Sequence, residues 1–175
     1  MKKIELVGGG GLAGDIIACF GKEVEIAGIW DDGLVPNTLF YQLPVLGPVE
    51  AIPARHSTPL VIAVGNPATR KKIFDSLCLR SVEWATLIHS SVQCFDPSTI
   101  QIQEGVIIMP NSYLTHQIVV GCNTLVHIGV GLHHEVHLGA HNVLMPGSRI
   151  TCAFQTEACF LLNTNQSITT NKITV

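Results

Sequence analysis

From Ile102 onward an aliphatic side chain returns at every sixth position. The series runs Ile102, Ile108, Leu114, Val120, Val126, Leu132, Leu138, Leu144, Ile150, Thr156, Leu162, Ile168 and Thr174, and eleven of these thirteen residues are Ile, Leu or Val. Neither an amphipathic helix, with its period of about 3.6, nor an alternating strand, with its period of 2, holds a six-residue register for this long. A hexad repeat predicts a parallel β-helix, in which each hexad supplies one short strand and one corner of a triangular coil. Three hexads close a coil, so residues about 18 apart stack on one another.

That spacing acts as a ruler for the histidines. Five of the eight fall close together: His127, His133, His134, His137 and His141. A shared metal is the obvious reading, yet these five occupy four different places in the hexad and no two are 18 apart. They are therefore expected to point in different directions within one chain, and no metal site is expected. His116 and His134 do differ by 18, which puts them one above the other, and Glu135 follows His134 directly. A carboxylate beside an imidazole holds one ring nitrogen protonated and leaves the other as a proton acceptor, the arrangement of a general base.

Residues 1–85 read differently. Lys3–Val7 is strand-like and runs into Gly8–Gly11, with a helical stretch over Asp15–Phe20. Glu23–Trp30 and the continuously apolar Pro59–Val64 read as two more strands, and Ala68–Leu79 as a helix with Arg70, Lys71 and Lys72 near its start. Three strands alternating with helices predict a small parallel sheet covered by helices. Gly9, Gly11 and Gly14 have the G-x-G-x-x-G spacing between a strand and a helix, and the acids Asp31 and Asp32 close the second strand. In that context the glycines permit close backbone approach, the helix N-terminus attracts phosphate, and an acid accepts from a ribose or a uracil N–H. Three strands suit a mononucleotide or nucleotide sugar better than a dinucleotide. The expected division is residues 1–85 and 86–175.

Composition narrows the partners. With 13% charged residues and a net charge of −3, the chain offers no basic face for nucleic acid. No apolar stretch approaches the roughly 18 residues of a membrane span. Six scattered cysteines, Cys19, Cys78, Cys94, Cys122, Cys152 and Cys159, form no CxxC pair. With no secretory signal at Met1-Lys2-Lys3, they read as reduced thiols of a cytoplasmic protein. A short β-helix has flat faces and open ends, which favour side-by-side assembly.

Several segments, taken in order, resemble the NeuD/PglD-like sugar acetyltransferases, the hexapeptide-repeat enzymes that include sialic-acid O-acetyltransferases and UDP-4-amino-sugar N-acetyltransferases. They are Gly8–Gly11, Trp30-Asp31-Asp32, Ile62–Asn66 with Arg70–Ile73, Leu87-Ile88-His89, Ile107–Pro110 and His134–Gly139. The resemblance implies an N-terminal Rossmann-like α/β domain, a left-handed parallel β-helix and a homotrimer. It implies acetyl transfer from acetyl-CoA to the amino group of a UDP-linked amino-deoxysugar, with His134 as base and Glu135 as its helper. The nucleotide-sugar contacts it implies are Gly10, Gly11, Leu12, Asp31, Asp32 and Gly65, and the acetyl-CoA contacts are Val143 and Thr164. The chain departs from the family pattern at Leu12, His127 and Val143, where close relatives carry His, Asn and His. It has no glycine after Ile150, and Glu157 and Asn163 stand where the repeat is expected to place one. Two alternatives stay open: O-acetylation of a sugar hydroxyl, and a nucleotide-sugar-binding protein whose altered C-terminal segment impairs acyl-CoA binding.

Overall fold

The computed structural model describes residues 1–151 and 153–169, together with the backbone of 172–174. Cys152 lies outside the described residues. The chain divides into two compact units, Met1–Ala85 and Thr86–Val175.

The first unit is a five-stranded sheet with two helices. Strands β1 (Lys2–Val7), β2 (Val24–Trp30), β3 (Leu39–Phe40), β4 (Leu43–Gly47) and β5 (Leu60–Ile62) lie in the order β3-β4-β2-β1-β5. All pairings are parallel except β3 with β4. Helix α1 (Gly11–Phe20) begins inside the glycine run, four residues earlier than its apolar pattern predicts. Helix α2 (Pro67–Cys78) starts with Pro67 in its first turn and is capped by Asn66, whose side-chain oxygen accepts from Thr69 N–H at 2.9 Å. The unit therefore has five strands, not the three expected. The hairpin of β3 and β4 escapes the sequence because its two-residue turn, Tyr41-Gln42, carries φ of 47° and 66° without the usual Gly or Asn.

The second unit is a left-handed parallel β-helix. One face stacks Leu87–Ile88, Ile107–Ile108, Leu125–Val126, Val143–Leu144 and Leu161–Leu162. The second runs from Gln93–Cys94 through Tyr113–Leu114, Gly131–Leu132 and Arg149–Ile150 to Ser167–Thr169, and the third from Ile100–Ile102 to Phe154–Gln155. Stacked partners such as Val126 with Leu144, or Leu114 with Leu132, differ by 18, and the hexad aliphatics from Ile108 to Ile168 form the buried core.

The repeat starts earlier and ends earlier than the hexad count. Ile88 pairs with Ile108, a separation of 20, so a two-residue excess hides the first coil from the count. At the other end, Lys172–Thr174 turns back and pairs antiparallel with Ser167–Thr169, so Thr174 leaves the register. The corners also fall elsewhere. Left-handed backbone recurs at Gly105, Asn111, Gln117, Asn123, Gly129, Glu135, His141, Gly147, Cys159 and Asn165. In the last described coil the corner residues are thus Cys159 and Asn165, not Glu157 and Asn163. Gly121 and Gly139 are needed for a different reason. A Cβ on Gly121 would lie 2.5 Å from the Gly139 carbonyl carbon, and one on Gly139 would lie 2.7 Å from that of Glu157. Those glycines permit stacking on the following coil and do not serve left-handed backbone.

Candidate functional site

In the first unit the glycine run divides into two kinds of residue. Gly8, with φ of 109°, is required by the protein itself, since a Cβ would strike Val64 and crowd the Ala63 backbone, and a Cβ on Gly9 would displace the Leu34 side chain. Around Gly10, Gly11 and Gly65 a Cβ would meet nothing within 4 Å. Gly10 and Gly11 follow β1, Gly65 follows β5, and these strands are neighbours with Val7 opposite Ile62. Since β2 lies on the other side of β1, the crevice between β1 and β5 is the switch point of the sheet, where open α/β sheets receive ligands. Gly10 caps α1 with extended backbone and no side-chain hydrogen bond, so no capping side chain competes with a ligand for the first N–H groups of the helix.

Arg70 underlies this crevice. It is fully buried, and its guanidinium donates to the carbonyls of Ile62 at 2.7 Å and Val64 at 2.9 Å. Burial pushes its pKa down to about 9, so it stays protonated at neutral pH. A fixed positive charge beneath the strand ends favours an anionic ligand.

The acids have divided tasks. Asp31 accepts from Gly9 N–H at 2.7 Å through one oxygen and from Gly33 and Leu34 N–H at 2.8 and 3.0 Å through the other. These bonds give Asp31 a structural task in shaping the turn. Asp32 is exposed, and its Oδ1 accepts from Val49 N–H at 2.8 Å. Leu12 is half-buried in the first turn of α1.

In the β-helix the histidines part as their register requires. His127 is buried, with Nδ1 accepting from Ile128 N–H at 2.8 Å. His141, also buried, lies with Nδ1 3.0 Å from Asn123 Nδ2. His133 Nε2 meets the Tyr113 hydroxyl at 3.1 Å, and His137 is exposed. Among the described residues no group of three or more His, Cys, Asp or Glu side chains is placed to hold a metal ion.

His134 and Glu135 share one corner. Nδ1 of His134 is 3.2 Å from Glu135 Oε2, and the side chains are 47% and 55% exposed. With the carboxylate ionised, Nδ1 carries the proton and Nε2 keeps its lone pair directed away from Glu135. The His116 ring lies one coil away, with centroids 6.0 Å apart and planes inclined by 20°. A shallow cavity of about 330 Å³ is lined by Glu135, His137, Ala153, Phe154 and Gln155.

The two residues expected to contact acetyl-CoA differ. Thr164 is exposed, whereas Val143 is fully buried on the strand between Leu125 and Leu161 and has no surface to offer a ligand.

Comparison with known proteins places this geometry. Residues 3–77 match the model of the PglD N-terminal domain. Among curated proteins, no sequence matches the chain. Among solved structures, a mutant of perosamine N-acetyltransferase from Caulobacter crescentus, in complex with CoA and GDP-perosamine, superposes with a TM-score of 0.81 at 20% identity, covering 95% of this chain and 88% of that one. WeeI from Acinetobacter baumannii matches with a TM-score of 0.66 at 18% identity, over 98% and 99% of the two chains. The acetyltransferase domain of PglB from Neisseria gonorrhoeae matches with a TM-score of 0.62 at 18% identity, over 97% and 92%. Residues 3–77 therefore resemble the PglD N-terminal domain, and the chain as a whole is built on the fold these acetyltransferases share.

Proposed function

We propose that the protein is an acetyl-CoA-dependent N-acetyltransferase acting on the amino group of a nucleotide-linked amino-deoxysugar, with a UDP sugar as the acceptor. The observation that carries the reading is the His134–Glu135 pair, whose Nδ1 is held by the carboxylate at 3.2 Å while Nε2 remains a proton acceptor. Forming the amide joins the amine nitrogen to the acetyl carbon, breaks the thioester C–S bond and releases one proton. His134 Nε2 takes that proton, and Glu135 stabilises the imidazolium that results. The thiolate, with a pKa near 8.5, is a good enough leaving group to need little acid assistance.

The acceptor's diphosphate is assigned to Gly10, Gly11 and Gly65 at the open helix end above Arg70. Asp32 Oδ2 is assigned to a nucleobase N–H. The solved neighbour in complex with GDP-perosamine supports a nucleotide amino sugar without deciding the base, so UDP- and GDP-linked acceptors belong in the same assay. Assembly as a homotrimer is part of the proposal.

The test is release of free thiol from acetyl-CoA in the presence of UDP- and GDP-linked 4-amino sugars. Turnover is expected, and His134→Ala should lower kcat by about 100-fold or more while nucleotide-sugar binding persists. Wild-type turnover by that variant would sink the assignment. The buried Val143 favours a second reading, a nucleotide-sugar-binding protein without transferase activity. Calorimetry separates the two: heat with nucleotide sugar but none with acetyl-CoA supports the second.

A further inference from the structure

The corner that carries His134 rests on the coil before it. His116 holds the same corner position 18 residues earlier, and Glu135 N–H donates to the His116 carbonyl at 3.2 Å. Stacked coils sit at the spacing of paired strands, about 4.8 Å, so two rings at one corner position face each other. The observed centroid distance of 6.0 Å and inclination of 20° are those of an offset parallel pair.

We propose that His116 is a positioning residue for the reaction proposed above: its ring holds the His134 imidazole in the orientation that keeps Nδ1 on Glu135 and Nε2 outward. The inference rests on His134 being the base. Its physical ground is that the His134–Glu135 contact is too exposed to fix a ring alone. The two side chains are 47% and 55% accessible, and a polar contact in that setting competes with water and is free to rearrange. Contact with the ring face restricts the same χ angles without a charge. His133 does not compete for Glu135, because the Tyr113 hydroxyl engages its Nε2 at 3.1 Å and the Tyr113 ring meets it edge-on. Tyr113 in turn lies across Gly131, where any Cβ would strike its hydroxyl. The coil before the corner thus holds both consecutive histidines from below, His133 through Tyr113 and His134 through His116. His116 is itself exposed, and its ring meets no carboxylate among the described residues, so it lacks the partner that would make it a base.

The test compares the full-length wild type with His116→Ala, His116→Phe and His134→Ala in steady-state kinetics. His116→Ala is expected to lower kcat about five- to tenfold with both KM values within about twofold, since orientation affects the chemical step more than binding. His116→Phe keeps a flat ring without ring nitrogens and should restore kcat to within about twofold of wild type. Wild-type kcat in the Ala variant overturns the proposal, as does a Phe variant no better than Ala. His134→Ala separates the two claims. If it stays active, the base assignment falls. If it is inactive while His116→Ala matches wild type, only the positioning role falls. Long-range ¹H–¹⁵N spectra of His134 read the orientation without turnover. The Nδ1–H tautomer should dominate in wild type and the Phe variant and decline in the Ala variant, and an unchanged tautomer in the Ala variant overturns the proposal.

Discussion

Glu135 carries two demands that pull apart. It sits at a corner with φ of 58°, where left-handed backbone disfavours a side chain, and its carboxylate contacts His134. Three other corners of the repeat, Gly105, Gly129 and Gly147, use glycine for the same conformation. Replacing Glu135 by Gly should therefore relieve about 1 kcal/mol of backbone strain, partly offset by the greater entropy of the unfolded chain. The exposed pair contributes little to stability, so its loss does not cancel the gain. The expected result is a melting temperature equal to or above wild type together with a kcat lowered about tenfold. Glu135→Gln keeps the strained backbone and removes only the charge, so kcat should fall without a change in melting temperature. Thermal melts and thiol release on the same preparations check both. A Glu135→Gly variant that loses both stability and activity would show that the carboxylate serves the fold instead.

At the scale of elements, the two glycines that matter most to the β-helix are ones whose own backbone is unstrained. Gly139→Ala places a methyl 2.7 Å from the Glu157 backbone, which no rotamer can relieve. The coils must part or shift, and we expect a loss of about 2 kcal/mol, read as a lower urea midpoint. Gly129→Ala meets nothing within 4 Å, so its cost is confined to its φ of 68°, about 1 kcal/mol. In the other unit, Arg70→Met removes the donors to the Ile62 and Val64 carbonyls and should cost about 3 kcal/mol. These positions also mark what is legible in the sequence. Inward-pointing aliphatics repeat every six residues because the core admits nothing else, so the strands can be read from Ile102 to Ile168. The corner conformation follows less directly. Asn, Gln, Glu, His and Cys all occupy left-handed corners here, and only spacing from the aliphatic, not residue type, locates them. The β3–β4 hairpin and the first coil are hidden for related reasons, one lacking turn residues and the other offset by two positions.

For the whole molecule, the two proposed tasks fall in two compact units, anion recognition at the glycine turn and proton transfer at the His134 corner. The expected nucleotide-sugar residues divide into those that shape the turn, Asp31 among them, and those that face open space. That division is not available from the spacing of glycines, because Gly9 and Gly10 are indistinguishable until the Leu34 side chain is seen against one and nothing against the other. It yields a prediction that separates binding from catalysis. Gly11→Asp adds a carboxylate at the first turn of α1, and nothing within 4 Å of its Cβ obstructs it. An acid at a helix N-terminus is neutral or slightly favourable to stability, by roughly 0.3–1 kcal/mol, so the melting temperature should hold or rise. The same carboxylate repels a diphosphate seeking those N–H groups, and KM for the nucleotide sugar should rise at least tenfold with KM for acetyl-CoA unchanged. His134→Ala should give the complementary pattern, a lost kcat with nucleotide-sugar affinity retained. If Gly11→Asp leaves the nucleotide-sugar KM untouched while the protein stays folded, the phosphate does not bind at this helix end and the assignment of Gly10, Gly11 and Gly65 fails together.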